Sequence, residues 1–162
     1  MSEQKAKIGG IGDRVKDEVT GFEGIATHKT VWANRCVRYA VEPPVETDKN
    51  VLPDIQTFDE DRLLLVESGV VTPTEPKSLT FNHGDHVQDS VTTFEGIITA
   101  ITTALDGQHR GLIEAPKKKK DEKVPEAHWV DEVRIVMVKS GAIDFPLNPK
   151  TPGGGDRFDP PT

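Results

Sequence analysis

The sequence predicts an all-β protein built from two tandem copies of one small barrel, flanked by an extended arm and an extended tail. Residues 12–69 and 84–141 align without a gap, and 22 of the 58 aligned pairs are identical. Short runs rich in Val, Ile and Thr lie between Gly, Pro and Asp clusters, a pattern typical of strands rather than helices. The chain also holds 14 glycines and 12 prolines, which favour turns and extended segments.

The repeat divides the chain into five segments. These are an N-terminal arm (1–11), a first module (12–69), a linker (70–83), a second module (84–141) and a Pro/Gly-rich tail (142–162). A module of this size buries only about 60% of its unfolded surface, so each copy is marginally stable alone. We therefore expect the copies to pack on one another or on a partner.

In the first module, Val15 and Val19 frame a short strand, and residues 20–24 form a turn. A second strand runs from Gly24 to about Trp32. Residues 34–35 make a tight reversal into a third strand at residues 36–42, where apolar side chains alternate. Pro43 and Pro44 end that strand because proline cannot donate to a ladder. Residues 56–66 supply a closing strand or pair of strands.

The second module repeats this plan. Asp106-Gly107 stands at the reversal where the first copy has Asn34-Arg35, and Asp-Gly is a favoured hairpin dipeptide. Four or five short antiparallel strands in a module of this length, opened by Gly-Asp and holding a glycine-bearing turn, predict a small SH3-like barrel. The sequence thus predicts two tandem SH3-like barrels.

Comparison of the copies identifies the candidate core. Positions that stay apolar are Val15/Val87, Val19/Val91, Phe22/Phe94, Ile25/Ile97, Leu63/Ile135, Leu64/Val136, Leu65/Met137 and Val66/Val138. Gly24/Gly96 is predicted to need positive φ or a close backbone approach. Gly21 becomes Thr93, so that turn position tolerates a side chain.

The charged residues favour a structural interpretation. The net charge is −7, unlike the basic balance of a nucleic-acid binder. The retained acids, Asp13/Asp85 and Asp17/Asp89 among them, and the retained bases Arg38/Arg110 and Arg62/Arg134 are interpreted as salt bridges and turn caps. Paired carboxylates acting as acid and base are the alternative.

Two segments are candidate partner-binding sites. A loop of the second module carries a basic block, Lys117, Lys118, Lys119 and Lys120. This block is a solvated loop, a contact to an acidic partner surface or, as the nucleic-acid alternative, a contact to phosphates. The tail cannot form a helix or central strand. It either lies on a neighbouring subunit or is a disordered end, and its apolar candidates are Ile143, Phe145, Leu147 and Phe158.

Motifs for catalysis are missing from the sequence. It has no phosphate-binding glycine loop, no Cys pair with metal spacing and no nucleophile elbow. His83 and His86, with His109 or His128, form a metal-site alternative that only the second copy could hold. Cys36 is the single cysteine and is either a structural thiol or a cross-link to another chain. We expect no enzymatic activity and no cofactor.

The string GDRVKDEVTGFEGIAT at residues 12–27, followed by CVRYAVEPP and FDEDRLLLV, resembles small bacteriophage and prophage proteins that carry one such module. The shared opening is GDxVxDxVTGFxGI. The second copy departs from it at Thr93. The resemblance implies a phage origin and an SH3-like fold, and it implies no catalytic residues.

Two function classes follow from that resemblance. The first is a virion structural protein, a capsid decoration or cement protein whose partners are the major capsid protein, other virion proteins and copies of itself. The second is an intracellular adaptor or inhibitor that binds a host protein or a nucleotide through a barrel groove. The polar N-terminus has no apolar signal core and no run is long enough to span a membrane. These features predict synthesis in the host cytoplasm and no membrane partner. The resemblance implies assembly into the virion, and the negative net charge predicts no nucleic-acid partner.

Overall fold

The computed structural model is all-β, as predicted, and describes residues 5–45, 51, 53–116 and 126–145. Its regular elements comprise strands and two single-turn 3-10 helices, at Glu60–Arg62 and Glu132–Arg134. The strands are β1 (Arg14–Asp17), β2 (Glu23–Trp32), β3 (Val37–Glu42), β4 (Gln56–Asp59), β5 (Leu63–Glu67), β6 (His86–Asp89), β7 (Glu95–Ala104), β8 (His109–Glu114), β9 (Ala127–Asp131) and β10 (Ile135–Lys139).

Each half of the chain is an antiparallel meander. In the first half the strands lie in the order β5-β1-β2-β3-β4, and in the second half in the order β10-β6-β7-β8-β9. The predicted second and third strands are confirmed. The closing segment of each half is a pair of strands joined by the 3-10 turn, which redirects the chain from β4 to β5 and from β9 to β10.

The β2–β3 and β7–β8 reversals are set by local hydrogen bonds. The Asn34 side-chain oxygen accepts from the N–H of Cys36 at 2.9 Å, and Asp106 accepts from the N–H of Gln108 at 3.0 Å. Such side chains stabilise tight turns by mimicking a backbone turn. Each turn also contains a residue with positive φ, Arg35 in the first and Gly107 in the second.

The two halves are joined by direct pairing of β2 with β7 in antiparallel register. Thr30 pairs with Thr102, its own repeat partner, and their hydroxyls are hydrogen-bonded at 3.0 Å. On either side of this central pair, His28 pairs with Ala104 and Trp32 pairs with Ala100. Each of these two pairs consists of the repeat partners of the other. The contact is therefore two-fold symmetric in its backbone, as the interface of a symmetric dimer is.

This pairing produces a single ten-stranded sheet where the sequence predicts two separate barrels. Among the described residues, β4 and β9 each pair with one neighbour, and no pairing closes the sheet on itself. Antiparallel all-β architecture is thus shown, and closure into SH3-like barrels stays a prediction.

Each half has its own buried apolar cluster. Val15, Val41 and Leu63 are fully buried in the first, and Phe81, Val87 and Ile113 in the second. Val15 and Val87 confirm the predicted core at that position. Phe81 lies in the linker, where the repeat comparison could not find it because its counterpart is Gly9.

Several predicted core positions are wrong. Val19 and Val91 are 75% and 69% exposed because they lie in the turns after β1 and β6. Val66 and Val138 are about half exposed because β5 and β10 lie at the ends of the strand order. Val136 and Met137 are also exposed, for the same reason. Retained apolar character was therefore not by itself a sufficient sign of burial.

Gly24 and Gly96 are required for close backbone approach and not for positive φ. A Cβ on Gly24 would lie 2.6 Å from the carbonyl carbon of Glu42, and a Cβ on Gly96 equally close to that of Glu114. By contrast, Gly21 and Thr93 both have positive φ, at 76° and 63°. A β-branched residue is strained there, so the second copy tolerates Thr93 at a cost.

We expect Gly24→Ala and Gly96→Ala each to lower the free energy of unfolding by about 1–3 kcal/mol or more, because the added methyl group collides with strand backbone that cannot move aside. Gly10→Ala is the control, since a Cβ at Gly10 has no atom within 4 Å, and its effect should stay within about 0.5 kcal/mol. Urea unfolding followed by tryptophan fluorescence measures all three, and equal stabilities for Gly24→Ala and Gly10→Ala would contradict the assignment.

Candidate functional site

The most buried retained acids form ion pairs inside each half. Arg62 donates to both carboxylate oxygens of Asp17, with Nε–Oδ1 at 2.9 Å and Nη2–Oδ2 at 2.7 Å. The N–H and hydroxyl of Thr20 donate to the same carboxylate. This set of donors stabilises the ionised form, so the pKa of Asp17 lies well below its usual range, with the Arg62 hydrogen bonds as the largest cause.

The second half repeats the arrangement with small changes. Arg134 donates to Asp89 from Nε at 3.0 Å and from Nη2 at 2.6 Å, and Thr92 donates its hydroxyl. The Arg134 hydrogen bonds again hold the pKa of Asp89 well below its usual range. In each half, this ion pair connects the 3-10 turn, which carries the arginine, to the end of the first strand, which carries the aspartate.

Asp13 and Asp85 fasten the ends of each half. Asp13 accepts from the N–H of Gly69 at 2.8 Å and from that of Gly9 at 2.9 Å. Asp85 accepts from Gly141 at 2.8 Å. These carboxylates join the segment after the last strand to the loop before the first strand. The four most buried retained acids therefore serve the fold, and none of the four forms the pair of carboxylates that the acid–base alternative predicts.

The histidines of the metal-site alternative do not converge. Nε2 of His83 lies 2.8 Å from the carbonyl oxygen of Val31, whereas Nε2 of His86 lies 2.6 Å from a carboxylate oxygen of Glu95. His109 is buried and contacts the carbonyl of Lys77 at 2.7 Å. In the part of the chain that the structure describes, no group of three or more His, Cys, Asp or Glu side chains could hold a metal ion.

A groove of about 560 Å³ lies across the two-fold axis that relates the halves. Thr30 and Thr102 are at its centre, and Arg38 and Arg110 line it from opposite halves. Each arginine is oriented by one aspartate: Arg38 Nε lies 2.7 Å from Asp59 and Arg110 Nε 2.6 Å from Asp131. The volume is within the range of small-molecule sites.

Two tryptophans break the symmetry of this groove. Trp32 and Trp129 meet edge to face with ring centroids 6.4 Å apart. Nε1 of Trp32 is buried and has no hydrogen-bond partner among the described residues, although a buried indole N–H usually finds one. The groove thus offers two aromatic rings and two oriented guanidinium groups.

The sequence alone did not reveal this groove. Arg38 and Arg110 are repeat partners, but Trp32 and Trp129 have Ala104 and Thr57 as theirs, so the repeat did not connect them. The available signal was that both tryptophans of the chain occur at unrepeated positions. Their proximity depends on the β2–β7 pairing, which no sequence pattern predicted.

The predicted partner-binding residues are only partly described. The N–H of Ile143 donates to the carbonyl of Gly84 at 2.9 Å, just as Val71 donates to Gly12 at 3.0 Å. The backbone of Ile143 therefore joins the end of the second half to its beginning, and the residue is 44% exposed. Phe145 lies beside Gly84. The other candidates lie outside the described residues: Leu147, Phe158, Lys117, Lys118, Lys119 and Lys120.

Comparison with known proteins found no matching family model, no significantly similar curated protein and no significantly similar solved structure. Among the described residues, none of the helices has the length and apolar character needed to cross a membrane. Function must therefore be inferred from the geometry of the chain itself.

We expect Asp17→Asn to lower stability at neutral pH, because Arg62 loses its ionised partner. The folded-state pKa of Asp17 is lowered, so its contribution is complete above about pH 5 and is lost as the pH falls below the unfolded value of about 3.9. The difference between wild type and Asp17→Asn should therefore shrink in acid. Thermal unfolding followed by circular dichroism across this pH range measures it.

Asp61→Asn is the control for that experiment, since Asp61 belongs to the same turn and is exposed. Its stability should stay close to that of the wild type at every pH, because the charge of Asp61 influences Arg62 less than the hydrogen bonds of Asp17 do. A difference between wild type and Asp17→Asn that does not change with pH would show that the ionised carboxylate is not the cause.

Proposed function

We propose that this chain is a non-enzymatic structural protein of a bacteriophage virion, a capsid decoration or cement protein that binds neighbouring capsid subunits. The resemblance of residues 12–27 to phage modules supports the origin. The meander order of each half, with a 3-10 turn before the last strand, supports two tandem SH3-like modules. The proposed location is the virion, after synthesis in the host cytoplasm.

The observation that carries the proposal is the use of the retained charges. Duplication left intact Asp13, Asp17 and Arg62 together with their repeat partners, and every one of them bonds within the fold. Buried retained charges that are satisfied within the fold suit a protein whose task is to hold a shape and present surfaces. The absence of enzymatic activity is part of the same proposal.

The N-terminal arm illustrates how an extended end binds this module. Ala6 accepts a hydrogen bond from the N–H of Leu65 at 2.9 Å, and Lys7 bridges to Leu64. Addition of an extended segment to a sheet edge is a common mode of peptide recognition. We infer that the tail binds a neighbouring capsid subunit or another copy of this chain through Leu147 and Phe158.

Mass spectrometry of purified virions tests the proposal. We expect this chain at a copy number comparable with that of the major capsid protein, since a decoration protein repeats with the lattice that it covers. Absence of the chain from virions would sink the proposal.

Two variants added back to virions that lack the chain locate the contact. A chain that ends at Phe145 should bind weakly because it lacks Leu147 and Phe158. Replacement of Lys117, Lys118, Lys119 and Lys120 by Gln tests the basic block, and should weaken binding only if that block contacts an acidic capsid surface. Equal binding by the shortened chain would remove the tail from the proposal.

The groove favours a second candidate function, an intracellular adaptor or inhibitor that binds a nucleotide or a host protein. Aromatic rings stack on bases, and guanidinium groups bind phosphate oxygens. Trp32, Trp129, Arg38 and Arg110 bring both chemistries into one groove. The nearby Asp59 and Asp131 oppose an anion, so this candidate ranks second.

Tryptophan fluorescence tests the second candidate directly, because both tryptophans of the chain line the groove. Under this candidate, titration with ATP quenches the emission to saturation, and the double variant Arg38→Gln/Arg110→Gln weakens binding about tenfold or more, as the loss of charge-assisted bonds implies. Arg14→Gln is the control, since Arg14 pairs with Glu67 outside the groove. Unchanged emission excludes a nucleotide ligand.

A further inference from the structure

The two copies differ at their outer sheet edges. In the first half the outer edge of β5 is covered, because the N-terminal arm pairs with it through the Leu65–Ala6 hydrogen bond and the Lys7–Leu64 bridge. Lys7 also donates its ammonium to the carbonyl of Asp61 at 2.7 Å. Within the described residues, this edge has a strand-like partner.

The outer edge of β10 has no such partner among the described residues. The linker segment that corresponds to the arm turns elsewhere: Lys77 bonds to Gly107 and His109, and the N–H of Thr80 donates to the side chain of Glu132 at 3.1 Å. Among the described strands, β10 pairs with β6 alone. Met137 pairs with Val87 as Leu65 pairs with Val15, so its N–H faces outward as that of Leu65 does.

Side-chain exposure follows this difference. Leu64 and Leu65 are half-buried, whereas their repeat partners Val136 and Met137 are 50% and 41% exposed, and Val138 is 50% exposed. Three consecutive exposed apolar residues on an unpaired edge are unusual. Natural sheets normally protect such an edge with charges, proline, a β-bulge or a covering segment. β10 has a bulge between Met137 and Lys139, but among the described residues its apolar side chains are not covered, and exposed apolar patches mark interaction sites.

We propose that β10 pairs with β10 of a second copy of this chain, antiparallel and across a two-fold axis at Met137. In this register Val136 lies opposite Val138 of the second copy, and Ile135 lies opposite its Lys139. Apolar residues therefore meet at the centre of the contact. The lysines, the only charged residues of the strand, lie at opposite ends and do not repel one another.

Two observations favour a second copy over a different protein. The strand is self-complementary about Met137, which a symmetric contact requires. The chain also already contains a symmetric antiparallel edge contact, at β2 and β7. Because β10 has five residues, the buried area is below that of a stable interface, and the dimer is expected to be weak and concentration-dependent.

Sedimentation equilibrium of the full chain, over about two orders of magnitude in concentration, tests the proposal. Wild type should pass from monomer to dimer as concentration rises. Val138→Lys should raise the dissociation constant about tenfold or more, because it places a charge in the apolar centre of the contact. The matched control is Val66→Lys, at the repeat partner of Val138, which has 48% exposure but lies on the covered β5 edge and should leave association unchanged.

A second variant distinguishes loss of the dimer contact from misfolding of the chain. Met137→Pro removes the outward N–H, and edge strands tolerate proline where the N–H faces away from the sheet. It should also remain monomeric, with a wild-type circular dichroism spectrum. A wild-type chain that stays monomeric overturns the proposal, as does equal weakening by Val66→Lys and Val138→Lys. None of these outcomes depends on whether the chain is part of the virion. The dimer proposal and the capsid-decoration proposal can therefore be contradicted independently of each other.

Discussion

Antiparallel pairing of β2 with β7 is the interaction on which the rest of the structure depends. It runs from His28 to Trp32 on one side and from Ala100 to Ala104 on the other, with the Thr30–Thr102 hydroxyl bond at its centre. Each half is a small unit with one modest apolar cluster, which by itself gives marginal stability. Backbone pairing between the halves connects both apolar clusters through one continuous sheet. It also creates the groove that lies across the two-fold axis between the halves.

The two copies share the buried ion pairs that stabilise the fold, and they differ in the surfaces that are available to other molecules. Ion pairs such as Arg62–Asp17 and Arg134–Asp89 occur in both halves and are satisfied internally. The surfaces differ: Trp32 and Trp129 break the symmetry of the groove, and the covered β5 edge contrasts with the exposed β10 edge. A contact specific to one half therefore has to use these unrepeated features.

Much of the local structure was predictable, because it depends on residues close in sequence. The β2 and β3 spans, the Asn34 and Asp106 turns and the structural role of Asp17 follow from alternation, turn chemistry and comparison of the copies. Burial was less predictable. Val19 and Val91 are apolar in both copies and yet exposed, because they lie in turns where no other part of the chain packs against them. Comparison of the two copies cannot distinguish such an exposed turn position from a core position.

The sequence alone determined the all-β class, the two-copy plan and the residues of the turns, since each is written in short-range patterns and in the repeat itself. Only the tertiary structure decided that the halves share one sheet, that Trp32 meets Trp129, and that the arm covers β5 while β10 has no such cover among the described residues. The physical reason is that strand edges pair through backbone groups that every residue carries. Short-range side-chain patterns alone therefore did not reveal that β2 meets β7, which depends on where the folded chain places those two edges.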